Sequence, residues 1–387
     1  MYSDVHRRAQ SFEVSAGVYD WSKDEEAVWF LEKATELGVE EVILFCNSPL
    51  ERLTDNGLAY MSDGTKSNIS EENYGEFAAY VMDVAEHFLE MGIPVKFLSP
   101  VNEPQWDWTG GGQEGCHYEP AQLADLYLAF LDELESRESL MEAGVKLSGP
   151  ESGEWGNMAT EYAKAILSNE RLAAHFDTLD NHSYWSDESS KSSFAAYMDI
   201  YYPNVKLRTS EWCEMVNGSD VTMDSAFHLA QEIAEDLRIL DVVSWQNWVA
   251  VAPGGYRDGL IYIDEDTQTY RVLKRLWIFG NYSRYVHPGY TRVDITGSDS
   301  ELEEMLPTAF IGTNEDGQEE LVMVFINESI LAQEFTLTGV GDAYDTIAYY
   351  VTSDTYDLEC TEEGAYTEDT TVTIPMKSVT TVVLTKG

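Results

Sequence analysis

The chain is short of basic residues: 23 Lys and Arg stand against 70 Asp and Glu in 387 residues, a formal net charge of −47. The acids are spread along the chain rather than gathered in a tail, so its field repels polyanions. Nucleic acid and acidic membranes are therefore not expected as partners, and uronate-rich glycans are disfavoured. Cysteine is scarce as well. Cys46, Cys116, Cys213 and Cys360 lie far apart, with no CxxC pair and no metal-ligand spacing, so neither a disulfide framework nor a metal site is expected. No apolar run approaches the roughly 18 residues of a membrane-spanning helix. Residues 1–20 hold no apolar core of signal-peptide length. Apolar and aromatic residues, by contrast, are plentiful at 44% and 12%, enough for one large folded domain and a smaller one.

From residue 20 onward helical periodicity alternates with short β-rich runs. DWSKDEEAVWFLEKATELG reads as a helix with acids in its first turn and Gly38 at its end, and VEEVILFCNSP as a strand. A helix at SEENYGEFAAYVMDVAEHFLEMG leads to the strand IPVKFLSPVNEP. Further units follow: helix 120–137 and strand VKLSGPE, helix 158–168 and strand FDTLDNHSYW, helix 190–201 and strand VKLRTSEWCE, helix MDSAFHLAQEIAEDLRIL and strand DVVSWQNWVA. TQTYRVLKRLWIFGNY is predicted as a last helix. Such alternation predicts parallel βαβ units, and polar or aromatic clusters at four strand ends favour a (β/α)8 TIM-type barrel over a doubly wound sheet. Beyond Pro288 the helical period stops and short alternating runs predict a β-sandwich. The expected division is a catalytic barrel domain over 1–287 and a side domain over 288–387.

The stretch FLSPVNEPQWDW, residues 97–108, runs an apolar strand into a carboxylate and then into two tryptophans. Burying a carboxylate is costly unless it is used, and aromatics beside it suit a flat ligand such as a sugar ring. Glu103 therefore stands out, and so does Glu211 near the end of the strand LRTSEWCE. Strand ends of a parallel barrel converge on one mouth, where two facing carboxyls cleave a glycosidic bond: one gives a proton to the leaving oxygen and the other attacks or stabilises the anomeric carbon. The competing reading pairs each acid with a buried Arg or a loop cap. His182 and Tyr184, in NHSYW, end the preceding strand, where a Tyr can orient Glu211 or simply pack. Trp106, Trp108, Trp185, Trp245 and Trp248 are candidate sugar platforms, and at least half of them are expected to be ordinary packing. Asn47 and Ser48 end a strand and are placed in the cleft. Glu114 follows a Gly-rich loop and reads as a loop or subsite residue.

SPVNEPQWDW, QEGCHY at 113–118, CNSP at 46–49, GNYSRYVHPGY at 280–290 and the trailing β-rich tail together resemble glycoside hydrolase family 30, whose members are retaining enzymes. The resemblance implies that Glu103 is the general acid/base, Glu211 the nucleophile, and Asn102 a hydrogen-bond partner of the sugar hydroxyl beside the reacting carbon. It implies a neutral β-linked glycan as substrate, no cofactor, and a monomer. It also implies an extracellular location, although residues 1–20 leave a cytoplasmic one open. CNSP and QEGC are most similar to the endo-β-1,6-galactanase-like members. NSPLERLT departs from them at Glu51 and Arg52, which leaves β-1,6-glucan and xylan as alternatives. A non-catalytic carbohydrate-binding barrel is the contrary hypothesis; two strand-end carboxylates favour the enzyme. Family members begin with two further barrel strands, the second bearing an Arg near the nucleophile. The pattern here supplies six strand units, so an N-terminally incomplete barrel with weak or no activity by itself is expected. Arg7 and Arg8 lie too near the start to stand in for that Arg.

Overall fold

The computed structural model describes residues 10–63, 66–297 and 303–387; Arg7 and Arg8 lie outside the described residues. The chain forms two compact units, one of residues 1–210 with 242–244 and the other of 211–241 with 245–387.

The first unit opens with an antiparallel pair, β1 (Glu13–Ser15) and β2 (Val18–Tyr19), where the sequence pattern predicts no strand. Helix α1 (Glu25–Glu36) and strand β3 (Val42–Phe45) follow, then α2 (Tyr74–Glu90), β4 (Val95–Ser99), α3 (Pro120–Glu135) and α4 (Glu138–Glu142). The predicted strand at VKLSGPE is divided into β5 (Lys146–Leu147) and β6 (Pro150–Ser152). Next come α5 (Asn157–Leu167), α6 (Glu170–His175), β7 (Thr178–His182), α7 (Glu188–Tyr201) and β8 (Lys206–Glu211). Pairing runs β3-β4-β5 in one sheet and β6-β7-β8 in the other, with β3, β4 and β5 parallel and β6 parallel to β7. Because β5 and β6 lie on one stretch of chain, the two sheets continue into each other. The segment 242–244 extends the series: Val243 N–H donates to Leu207 O at 2.9 Å and Thr209 N–H to Ser244 O at 3.0 Å. It forms no regular strand, unlike the strand predicted for DVVSWQNWVA.

The helices are explained by their apolar stripes. In α2 the buried residues Tyr74, Phe77, Ala78, Val81, Met82 and Ala85 recur at three- and four-residue spacing, and Gly92, at φ 86°, ends the turn beyond it. Helix α3 starts at Pro120 behind a reciprocal cap between Glu119 and Gln122. Consecutive helices α2, α3, α5 and α7 pack side by side.

The second unit contains β9 (Glu214–Asn217), α8 (Met223–Glu235), the short strands β10 (Val251–Ala252), β11 (Tyr256–Arg257), β12 (Ile261–Asp264) and β13 (Thr269–Val272), and α9 (Lys274–Ser283). The helix predicted over TQTYRVLKRLWIFGNY thus opens with a strand. TYRV alternates β-branched and aromatic residues and pairs antiparallel with β12, so the helix begins only at Lys274. Among the described residues eight strands follow: β14 (Thr291–Val293), β15 (Thr308–Thr313), β16 (Glu319–Asn327), β17 (Gln333–Thr336), β18 (Thr346–Ser353), β19 (Asp357–Ala365), β20 (Thr371–Ile374) and β21 (Ser378–Thr385). They form an antiparallel sheet of order β14-β15-β16-β21-β18-β19 and a separate β17-β20 pair. The all-β tail after 288 follows the sequence pattern, whereas compactness groups α8 and α9 with it. The cause is packing: α8 contacts β16, and α9 contacts β18, β19 and β21, while Leu321, Met323 and Phe325 of β16 pack with Val372 and Ile374 of β20, so β16 is buried from Leu321 to Asn327. Asn281, in the GNYSR motif, fastens α9 there: its amide donates to Tyr350 O and Thr381 Oγ1 at 3.1 and 2.9 Å and accepts from Thr352 Oγ1 at 2.7 Å.

Candidate active site

β4 ends at Ser99, and Glu103 lies four residues beyond it in the loop that SPVNEP forms. The loop is held in line by its backbone: Glu103 N–H donates to Glu151 O at 2.9 Å, continuing the β4–β5 pairing past the regular strands. Both residues hold a left-handed backbone, φ 41° at Glu103 and 57° at Glu151. That conformation costs an ordinary side chain about 1–2 kcal/mol.

Strand β7 delivers His182, fully buried, between the two acids. Its Nδ1 lies 3.2 Å from Glu103 Oε1 and its Nε2 3.5 Å from Glu151 Oε2. Glu151 is 1% exposed. It accepts from Ser99 Oγ at 2.8 Å and from Ser210 Oγ, hydroxyls that come from the end of β4 and from β8. Four strands thus place side chains on one carboxylate–imidazole–carboxylate array. Below it Arg208 forks onto Asp180 at 2.5 and 2.6 Å and covers the Phe97 ring at 3.8 Å. Burial pushes the Asp180 carboxyl up to about 6 against the pull of Arg208, with the nearby Glu151 charge adding to the rise. Glu103 and His182 are also metal-ligand types. The 3.2 Å between Nδ1 and Oε1 is hydrogen-bond distance, so the imidazole and the Glu103 carboxyl exchange a hydrogen bond.

Beside the acid lie polar atoms that the described residues leave without a hydrogen bond: Asn102 Oδ1 and both amide atoms of Gln105 are buried and unpartnered. Such atoms cost about 1–3 kcal/mol each unless something binds them, and a sugar hydroxyl is a fitting partner. Gly153 makes room for this group. A Cβ there would come within 2.5 Å of Gln105 Nε2 and 2.9 Å of Glu103 Oε1.

The tryptophans separate into two roles. Trp106 and Trp185 are 42% and 58% exposed, and their rings stand edge to face at 5.3 Å and 76°, an open aromatic corner beside Glu103 in sequence and His182 in strand order. Trp108 is packing: its indole N–H donates to Glu103 O at 3.0 Å, and its ring lies where a Cβ on Gly115 would be. Trp245 is also committed, donating to Asp236 Oδ2 at 2.9 Å and packing against Trp212 and Phe279. Tyr184 is buried against His182 with rings 5.7 Å apart. Glu211 is the half-buried last residue of β8, directly after Ser210.

Asn47 and Ser48 line a cavity of about 700 Å³ beside β3, with Glu114, Arg52 and Phe12; neither Asn102, Glu103 nor His182 is on its wall. Burial, with the charge of Glu51, raises the Glu114 carboxyl above its ordinary value. Arg52 is spent on Glu13 and Glu76, at 2.6 Å from each. The sequence reading missed Glu151, Gln105, Gly153 and the two serines. Its available signal was PES at a strand end, matching NEP one strand earlier.

Residues 2–262 match the O-glycosyl hydrolase family 30 model, and the chain belongs to that family. It is 25% identical over 287 residues to an endo-β-1,6-galactanase of Hypocrea rufa, covering 72% of this chain and 55% of that protein. It is 22% identical over 316 residues to the glucuronoxylanase XynC of Bacillus subtilis (strain 168), covering 77% of this chain and 63% of that protein. The chain therefore spans less than two thirds of the length of either relative. A conserved exported protein from Bacteroides fragilis has the same fold, with a TM-score of 0.84 at 22% identity over 98% of this chain and 84% of that one. No helix among the described residues is long and apolar enough to cross a membrane.

Proposed function

We propose that the chain is a retaining glycoside hydrolase that cleaves a neutral β-linked polysaccharide. Glu103 acts as general acid/base and Glu211 as nucleophile, the pair of carboxyl groups that a retaining mechanism uses. The observation that carries this reading is Glu103, 8% exposed, whose carboxyl touches an imidazole, with the unpartnered Asn102 Oδ1 and Gln105 amide beside it and the exposed Trp106–Trp185 corner opening three residues further along the chain. A structural ion pair needs none of those neighbours. Glu103 protonates the leaving oxygen while Glu211 attacks the anomeric carbon; Glu103 then takes a proton from the water that releases the sugar. We place the parallel strands in a (β/α)8 barrel, with the reaction at the C-terminal strand ends, on the strength of the βα alternation and of family membership.

β-1,6-Galactan is the proposed substrate, on the likeness to the galactanase. The net charge of −47 argues against a glucuronate-bearing chain. Secretion is proposed from the exported relative. The test is product release from β-1,6-galactan, β-1,6-glucan and glucuronoxylan by the wild type and by Glu211→Gln. Release of galactan oligosaccharides by the wild type alone is expected. Glucan or xylan products correct the sugar, and equal turnover by Glu211→Gln overturns the nucleophile. Binding by both proteins with no product from either supports a non-catalytic binder.

A further inference from the structure

We propose that Glu151 is a positioning residue that keeps the His182 proton on Nε2, so that Nδ1 faces Glu103 as a lone pair and accepts the proton Glu103 holds before it acts. The inference rests on Glu103 being the acid/base. A neutral imidazole carries one proton, and the partner of each nitrogen decides which one bears it. Groups around His182 include Glu103 from the loop after β4, Glu151 from β6, and Tyr184, whose ring packs against it. The Asp180–Arg208 pair lies beneath, and Glu211 follows Ser210 on β8.

Glu151 and Glu103 compete for the one imidazole proton, and they are built differently. Glu151 is 1% exposed, and each of its oxygens already accepts a serine hydroxyl, Oε1 from Ser99 and Oε2 from Ser210. Glu103 is the acid that must start protonated. A lone pair on Nε2 would face the Glu151 carboxylate at 3.5 Å and be repelled, whereas an N–H there is attracted. Nδ1 is then left to accept from Glu103 Oε1–H across 3.2 Å. In the first step that proton goes to the leaving oxygen. The Glu103 carboxylate formed then faces an imidazole lone pair instead of a donor, which favours its taking a proton from the incoming water in the second step. The left-handed backbone at Glu151, and its carbonyl bond from Glu103 N–H, tie the residue to the same acid through the main chain.

Two measurements on the full chain test the proposal. The first is the ¹⁵N spectrum of histidine-labelled protein, with the His182 signals assigned by their loss in His182→Gln. Wherever the ring is neutral the Nε2–H tautomer is expected, and an Nδ1–H tautomer overturns the proposal without reference to any substrate. The second is the pH profile of kcat/KM for Glu151→Gln. An amide can turn its NH2 toward Nε2 and move the proton to Nδ1, where it donates to the Glu103 carboxylate. The basic limb of the profile should then move to lower pH by about half a unit or more. kcat/KM for a glycoside whose leaving group needs no proton should fall far less than that for the glycan. An unmoved limb, or equal loss on both substrates, makes Glu151 a purely structural residue. Inactivity of the wild type on all glycans, with the Nε2–H tautomer present, instead refutes the assignment of the reaction.

Discussion

The backbone N–H of Glu103 donates to the carbonyl of Glu151 at 2.9 Å, and each of these two carboxylate residues adopts a positive φ. Strain of this kind persists where the surroundings over-determine it, and it collects at functional sites. It makes the first prediction unusual in sign. Glu103→Gly and Glu103→Ala differ by one methyl, and at most buried loop positions glycine is the less stable. At φ 41° the order should reverse, with the Gly variant more stable by about 1 kcal/mol in urea denaturation. Both variants should lose about 10²–10⁴-fold in glycan turnover, and much less on an aryl glycoside with an activated leaving group.

Trp106→Ala and Trp185→Ala should raise KM for a long glycan several-fold each and change thermal stability far less than Trp108→Ala, because about half of each residue is in solvent. Trp108→Ala should do the opposite first. It deletes a ring packed on Gly115 and the N–H that donates to Glu103 O, a loss of about 3 kcal/mol or more, visible as a drop in Tm before any effect on KM is considered.

Those two tryptophans show where the sequence is legible and where it is not. WDW places both beside the acid, but which ring is exposed follows from φ 45° at Trp108, a backbone choice that no side-chain pattern records. The alternation of helices with strands is readable because helices such as α2, α3, α5 and α8 carry their own apolar stripes, whereas α1 buries none of its residues. TYRV at 269–272 was misread, since its helical continuation into KRLW is locally as good as its pairing with Ile261–Asp264, and only the partner strand decides between them. Glu103 announced itself through NEP and the aromatics. Glu151 did not, because its significance depends on Ser99, His182 and Ser210, three residues from three other strands.

Glu214 gives a stability prediction with a definite pH sense. Burial pushes its carboxyl up, but bonds from Ser225 Oγ at 2.5 Å, His228 Nδ1 at 2.8 Å and Arg257 Nη1 at 2.7 Å outweigh burial and hold it below its ordinary 4.5. A carboxyl lowered by folding contributes stability that is fully present above 4.5 and is lost as pH falls through the folded value. Glu214→Gln should therefore cost about 1–2 kcal/mol at neutral pH, and the Tm difference from wild type should close on acidification. A difference that stays constant from neutral pH to well below 4.5 would show that shape, and not charge, is what Glu214 provides.

Arg208 and Asp180 join β8 to β7 directly beneath the site, with Arg208 5% and Asp180 0% exposed. A buried pair adds little over an apolar replacement of equal volume, but breaking it strands a charge, which costs about 3–5 kcal/mol. Arg208→Met should cost that much, and Asp180→Asn in the same chain should recover most of it. The pH sense is the reverse of that at Glu214. Folding raises the Asp180 carboxyl from 3.8 to about 6, so the folded state binds the extra proton and the contribution of this group weakens as pH rises between those values. Without Arg208 the folded carboxyl rises further and the weakening continues to higher pH. The penalty of Arg208→Met in denaturant unfolding should thus be larger at pH near 8 than near 5. A penalty independent of pH would mean that the guanidinium acts through its contact with Phe97 at 3.8 Å and not by holding the Asp180 charge.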